Sequence, residues 1–333
     1  MNSPILMNSI YAFLIAFVIC LIIGPFVIKL MQKLHFGQQV RDDGPASHLK
    51  KQNVPTMGGI MMMVAIGIGA IIFGFSGPAL VAVLATLGYG LIGFLDDFIK
   101  IYKKRSLGLR AYQKIIGQFG IALIVAWYGY KYIGSKMFVP FVGDVDFGIW
   151  YIPFAMFVIL AIVNGENLAD GLDGLASRMT LVEGITMALI LIIPNMYVFG
   201  GYVDVSAQKL AVLSALMAGS CLGFLRFNTY PARVFMGDTG ALGLGGCLAI
   251  CALYSRMALL LPVMCVMLVA TCISVILQVG YFKITHGKRI FKMAPLHHHY
   301  ELLGYHETTV TSMYTLITIV SCALALILAF VRF

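Results

Sequence analysis

The acidic residues of this chain come in groups suited to holding cations and handling protons. Gly93-Phe94-Leu95-Asp96-Asp97-Phe98-Ile99-Lys100 sets two carboxylates side by side at the end of an apolar run, with a lysine in the fourth place. Adjacent carboxylates repel, so one keeps a proton or a cation joins them. Mg2+ takes one or two protein carboxylates and completes its shell with water and phosphate oxygens. The plainer reading is a pair of solvated charges ending a helix. Lys100 stands where an Asp-rich diphosphate clamp would need a third carboxylate.

A second group is Asn164-Gly165-Glu166-Asn167-Leu168-Ala169-Asp170-Gly171-Leu172-Asp173-Gly174. Asp170 and Asp173 would share a face on a helical turn, but the glycines and asparagines make a continuous helix doubtful. Irregular backbone at membrane depth is tolerated where it lines a cavity or is buried in protein. Lined by Asn167, Asp170 and Asp173, such a cavity suits a ribose, a base edge or a hydrated metal; an Asx-rich turn is the alternative. A third group, Asn228-Thr229-Tyr230-Pro231-Ala232-Arg233-Val234-Phe235-Met236-Gly237-Asp238, precedes an apolar run. There Asp238 is either an N-cap or a ligand, in the company of an arginine, a ring able to stack on a base and a Gly-rich backbone that can approach phosphate.

The last group, Lys288-Arg289-Ile290-Phe291-Lys292-Met293-Ala294-Pro295-Leu296-His297-His298-His299-Tyr300-Glu301, lies inside the chain. Three consecutive side chains diverge whether helical or extended, which disfavours one zinc held by all three. Imidazoles among cations fit phosphate contact and proton handling. Two basic loops, one with Arg41, Lys50, Lys51 and Thr56 and one with Lys100, Lys103, Lys104, Arg105, Arg110 and Lys114, would meet anionic headgroups or a polyanionic substrate. Gly88-Tyr89-Gly90-Leu91-Ile92-Gly93 spells a dinucleotide fingerprint but has no strand before it. The seven cysteines lie in apolar stretches and read as packing residues rather than a disulfide framework.

The elements that must position these groups are membrane helices. The 333 residues are 60% hydrophobic and 11% charged, against about 25% charged in soluble domains, with a mean hydropathy of +0.93. This excludes a soluble enzyme and a disordered protein, and predicts one all-α, polytopic integral membrane domain. Ten apolar runs near 9–31, 57–76, 78–96, 112–134, 148–165, 179–200, 206–225, 239–255, 258–281 and 310–331 approach the length of a span. The first is expected to be retained, since no basic residue precedes Lys29. Grouping segments 29–56, 97–114, 165–178, 225–238 and 282–309 on one side collects 18 of the 23 basic residues. The positive-inside bias makes that side cytoplasmic and puts both termini outside. All seven histidines fall there, and only Asp144, Asp146 and Asp204 among the acids fall on the other side. Carboxylates at span ends are functional candidates.

Taken together, Asp97-Phe98-Ile99-Lys100, the stretch from Asn167 to Gly174, Val234-Phe235-Met236-Gly237-Asp238-Thr239-Gly240 and Ala294-Pro295-Leu296-His297-His298-His299-Tyr300-Glu301 resemble the phospho-N-acetylmuramoyl-pentapeptide transferase family, within the polyprenyl-phosphate N-acetylhexosamine-1-phosphate transferases. The chain departs from the usual pattern at Gly165-Glu166, at Ala169, and at Tyr305-His306-Glu307, where Trp-Pro-Glu is common. The resemblance implies transfer of phospho-N-acetylmuramoyl-pentapeptide from its UDP carrier (UDP-MurNAc-pentapeptide) to undecaprenyl phosphate, giving lipid I and UMP. The implied cofactor is Mg2+, the setting is the lipid bilayer of a bacterial inner membrane, a homodimer is expected and no nucleic-acid partner is implied. By the same resemblance Asp238 is the metal ligand, Asp96 the base for the lipid phosphate, and Asp97 a support for metal or substrate. Asp170, Gly171, Leu172, Asn228 and Phe235 belong to the uridine side; Lys51, Thr56 and Gln278 to nucleoside or diphosphate contacts; His297, His298 and His299 to the diphosphate or sugar; and Lys100, Lys114, Asn167 and Asp173 are further substrate-binding residues. Direct attack is favoured over an aspartyl-phosphate intermediate, because a deprotonated acceptor phosphate is already a nucleophile. The rivals are a sibling transferase using UDP-N-acetylglucosamine, a membrane prenyltransferase, and an ion-coupled transporter, which would carry charge near mid-span.

Overall fold

In lipid an apolar segment can satisfy its backbone groups internally only as a helix or in a closed barrel, and this chain folds into helices. The computed structural model describes residues 4–34, 54–103, 108–197 and 205–331. In chain order the helices are α1 (Pro4–Lys33), α2 (Gly59–Ile72), α3 (Gly77–Tyr102), α4 (Ala111–Tyr132), α5 (Tyr151–Ala169), α6 (Leu175–Tyr197), α7 (Val205–Asn228), α8 (Gly237–Tyr254), α9 (Leu261–Met264), α10 (Val266–Ile284), α11 (Leu296–Leu302) and α12 (Glu307–Phe330).

Eight of these, α1, α3, α5, α6, α7, α8, α10 and α12, are long and apolar enough to cross a membrane. The other two expected runs also form helices. α2 has only 14 residues, and α4, at 22 residues, is diluted by Gln113, Lys114 and Gln118. The run expected over 258–281 is interrupted: a 3-10 turn at Ala258–Leu260 leads into α9, and α10 restarts after Cys265 leaves helical geometry at φ −103 and ψ 37. Between α4 and α5, a hairpin of β1 (Lys136–Val139) and β2 (Gly143–Asp146) pairs antiparallel, Lys136 opposite Asp146. It was not anticipated from sequence. Asp146 accepts bonds from Ser135 Oγ and Gly148 N–H, which hold its carboxyl below the usual range.

At the centre stands α8, buried on every side from Thr239 to Tyr254. A helix apolar all round belongs in a core, and its glycines, alanines and cysteines let neighbours approach closely. α3, α5 and α2 pack against it. A Cβ built on Gly93 of α3 would lie 2.1 Å from the carbonyl oxygen of Asp238, and one on Gly59 of α2 would lie 2.1 Å from the nitrogen of Gly240. Only glycine permits these backbone contacts, and they set the acidic end of α3 against the first turn of α8. All seven cysteines are free thiols, six of them buried, as packing residues would be.

Candidate active site

α3 presents Asp96, Asp97 and Lys100 on one face through i, i+3 and i, i+4 spacing. The expected run stopped at residue 96, whereas the helix continues to Tyr102, so both carboxylates are held on regular helix and are buried. Lys100 Nζ lies 2.6 Å from Asp96 Oδ2 and 3.4 Å from Asp97 Oδ1. Leu109 N–H donates to Asp96 Oδ1 at 2.8 Å. Thr239, in the first turn of α8, donates its N–H and its hydroxyl to Asp97 Oδ2 at 3.1 and 3.0 Å. Asp97 thus binds α8 at the end where its dipole favours an anion.

Asp238 occupies the second position of α8, but its side chain makes no cap. Its Oδ2 meets Lys100 Nζ at 3.0 Å and Lys114 Nζ at 2.8 Å, and its Oδ1 accepts from Asn167 Nδ2 at 2.7 Å. The N-cap reading of Asp238 is thereby set aside. Lys114, from the first turn of α4, also reaches Asn167 Oδ1 at 3.4 Å. Four helices therefore converge, and oxygens of Asp96, Asp97 and Asp238 lie within 4.8 Å of one another. Carboxylate oxygens are the hard donors Mg2+ takes, and one or two of these three would suffice to hold it, so the residues present fit that ion by donor chemistry.

α5 ends at Ala169, and residues 170–174 are non-helical, so Asp170 and Asp173 diverge instead of sharing a face. Asp170 accepts a bond from the Gly237 N–H, next to Asp238. Its carboxyl is pushed well above the usual range, first by burial and then by Glu166, Asp238 and Asp97 nearby, with the Gly237 bond opposing. Asp173 turns away: its Oδ2 accepts from Ala232 N–H at 2.9 Å and its own N–H donates to Glu307 Oε1 at 2.6 Å. Asn228 is equally engaged, accepting from Gly174 N–H at 3.0 Å and Ser177 Oγ at 3.1 Å while donating to the Val234 carbonyl at 3.0 Å. These bonds tie the 170–174 loop to the 228–236 loop.

The 228–236 loop meets the segment before α2. Phe235 N–H donates to the Pro55 carbonyl, and the Gly58 N–H to the Phe235 carbonyl, both at 2.8 Å. Phe235, partly buried, is thus tied through its backbone to this segment, and Thr56 sits beside Gly237, its Oγ1 2.9 Å from where a Gly237 Cβ would be. Lys51 lies outside the described residues. Leu172 is buried. Gln278 accepts from Ile290 and Phe291 N–H at 3.1 and 2.9 Å and donates to the Phe291 carbonyl at 3.0 Å, pinning the loop that leads to the histidines.

The histidines occupy α11, and helical geometry sends them three ways. His297 is fully buried with Nε2 against Gly171, 2.3 Å from where a Cβ there would be. His298 Nδ1 pairs with Glu301 Oε2 at 2.7 Å, and His299 Nδ1 accepts from Lys292 N–H at 3.1 Å. A continuous set of contacts therefore runs from Asp238 and Gly237 through Asp170 and Gly171 to His297, whose ring lies 4.3 Å from that of His298, centroid to centroid. Buried acids, two ammoniums and imidazoles at one end of a helix bundle are equipped to hold a divalent cation and a polyphosphate.

The description "Glycosyl transferase family 4" matches residues 79–256. Curated relatives cover nearly the whole chain. A phospho-N-acetylmuramoyl-pentapeptide-transferase of Clostridioides difficile is 48% identical over 96% of this chain and 97% of its own length. One of Caldanaerobacter subterraneus subsp. tengcongensis is 47% identical over 94% and 96%, and one of Clostridium perfringens 45% identical over 98% of each. The chain belongs to the phospho-N-acetylmuramoyl-pentapeptide-transferase family. Within this transferase the family 4 match spans Asp96, Asp97, Lys100, Lys114, Asn167, Asp170 and Asp238, while Thr56, Gln278 and the histidines come from flanking segments.

Several residues that build the candidate site are missed in the sequence reading. Thr239, Glu307 and Asn164 stood inside or beside quoted motifs, and Gln118, whose side chain exchanges bonds with Asn164, is a polar residue one turn after Lys114 in α4. Glu166 and Glu183, grouped by sequence with the acids of the basic side, are both fully buried, and Glu166 takes a bond from Thr180 Oγ1.

Proposed function

We propose that this transferase moves phospho-N-acetylmuramoyl-pentapeptide from UDP-MurNAc-pentapeptide to undecaprenyl phosphate, giving lipid I and UMP, at the cytoplasmic face of a bacterial inner membrane and as a homodimer. The observation that carries the reading is the convergence of Asp96, Asp97 and Asp238 with Lys100 and Lys114 at one end of α3, α4 and α8. A water-soluble nucleotide and a lipid acceptor can meet only at a membrane boundary, and reactive groups at helix ends suit that meeting.

Asp238, Asp97 and Asp96 would hold Mg2+, which when bound supplies charge neutralisation for the diphosphate. Asp96 takes the proton of the lipid phosphate and orients it. An oxygen of that phosphate forms a bond to the sugar-side phosphorus, the bond from that phosphorus to the bridging oxygen breaks, and UMP leaves with that oxygen. Lys100 and Lys114 supply positive charge to the phosphates. Asp170, Gly171 and Phe235 face the uridine, with Leu172 behind them and Asn167 holding Asp238; Lys51 and Thr56 lie toward the nucleoside and diphosphate. Asp173, Asn228 and Gln278 act as positioning residues, because their side chains bind backbone of the surrounding loops. His297, buried on Gly171, sets that loop, and His298 and His299 serve the diphosphate or sugar side.

The test is UMP release by purified protein from UDP-MurNAc-pentapeptide or UDP-N-acetylglucosamine, with and without undecaprenyl phosphate and Mg2+. Release only with the muramoyl donor, the acceptor and the metal together is expected. Comparable release from UDP-N-acetylglucosamine would move the chain to the sibling reaction.

A further inference from the structure

The same carboxylate oxygens that suit a divalent cation are already in contact with an ammonium. Lys100 Nζ lies 2.6 Å from Asp96 Oδ2, 3.0 Å from Asp238 Oδ2 and 3.4 Å from Asp97 Oδ1, and these are the three residues whose oxygens converge within 4.8 Å. Mg2+ binds oxygen at about 2.0–2.1 Å and demands near-octahedral geometry. An ammonium in hydrogen-bond contact with all three carboxylates fills the space such an ion needs. Lys114 differs, touching Asp238 alone among the described acids and Asn167 besides, so it can stay while the centre of the cluster is taken.

Charge leads to the same conclusion. If all three carboxylates are ionised, the two lysines leave one net negative charge, and a divalent ion added to that set would leave a net positive centre. If Lys100 withdraws, the divalent ion and Lys114 balance the three carboxylates. Lysine is suited to the exchange, being a compact, strongly hydrated charge on a flexible stem, and the Lys100 side chain is 32% exposed near the end of α3.

We propose that Lys100 is an exchangeable counter-ion: its ammonium neutralises Asp96, Asp97 and Asp238 until a divalent cation takes those oxygens, and it then swings outward to the phosphates of the nucleotide donor. The proposal rests on the metal reading above and goes beyond it by giving one lysine two successive partners.

The experiment uses the full chain in detergent with Mn2+ as the probe. Electron paramagnetic resonance reports bound Mn2+, and acylation of lysines by a water-soluble amine reagent, read by mass spectrometry, reports how engaged each ammonium is. Lys209, bonded to Gly74 O and Ser76 Oγ at the other end of α3, is the internal reference. As Mn2+ saturates, acylation of Lys100 rises several-fold while Lys209 stays constant. Lys100→Met binds Mn2+ more tightly than wild type, and Asp238→Asn loses both the Mn2+ signal and the metal dependence at Lys100. Bound Mn2+ with unchanged or slower acylation of Lys100, or weaker Mn2+ binding by Lys100→Met, overturns the exchange and leaves the metal reading intact. No bound Mn2+ in wild type removes the metal reading itself, and the exchange with it.

Discussion

Asp170 couples the acidic cluster to the loop that carries Gly171, and its environment gives it a distinctive pH signature. Burial, followed by Glu166, Asp238 and Asp97, raises its carboxyl well above the ordinary range. The folded protein keeps a proton there that the unfolded chain releases near pH 4. Stability from this group is therefore full below the unfolded value and is lost as pH rises toward the folded one. Asp170→Asn keeps an acceptor for the Gly237 N–H and removes the titration. In EDTA, the thermal midpoint of wild type should fall relative to Asp170→Asn as pH rises above about 4, the unfolded value; a relative gain by wild type on raising the pH contradicts the assignment. At this scale the sequence revealed residue types better than their jobs. Asp96, Asp97 and Asp238 were legible because adjacent or helix-end carboxylates in an apolar chain are costly. Asn228, Asp173 and Gln278 carry the same polar groups, yet theirs bind backbone, and Asn, Asp and Gln bond to backbone as readily as to ligand.

At the scale of elements, the site depends on how closely α3 approaches α8. Gly93 allows backbone contact with Asp238, where even one methyl would meet the carbonyl oxygen at 2.1 Å. Gly93→Ala should separate Asp96 and Asp97 from Asp238, lowering both the thermal midpoint and UMP release. Gly120→Ala on α4, with nothing within 4 Å of its added Cβ, should behave as wild type. Equal behaviour of the two variants would show that the close approach is not what holds the site together. The helices themselves were readable from apolar runs of spanning length. The interruption at Cys265 and the Lys136–Asp146 hairpin were not, because both depend on contacts from distant segments, such as the bond from Phe138 N–H to the Arg256 carbonyl. The burial of Glu166 and Glu183 was also hidden, since a position near the start or end of an apolar run does not reveal which side packs inward.

For the molecule as a whole, the unequal distribution of charge sets the direction of the chemistry. Basic and imidazole groups gather with the acidic cluster, while the hairpin joins α4 and α5 at their other ends. The positive-inside bias predicts that the cluster faces the cytoplasm. Val142 is 72% exposed in the hairpin turn and Lys288 is exposed in the histidine loop. In intact cells stripped of their outer layers, a membrane-impermeant maleimide should label Val142→Cys at once and Lys288→Cys only after permeabilisation. The reverse order would invert the protein and place its site away from a cytoplasmic nucleotide.

The most direct test of the account is a single-turnover assay of lipid I formation by Asp238→Asn. The variant is reconstituted with undecaprenyl phosphate, UDP-MurNAc-pentapeptide and Mg2+, after its helical content and thermal midpoint are shown to match wild type. Loss of lipid I by at least about a hundredfold is expected, on the scale of removing one key electrostatic group from an active site. Formation at a near-normal rate would mean that the carboxylate joining Lys100, Lys114 and Asn167 is not where the chemistry occurs.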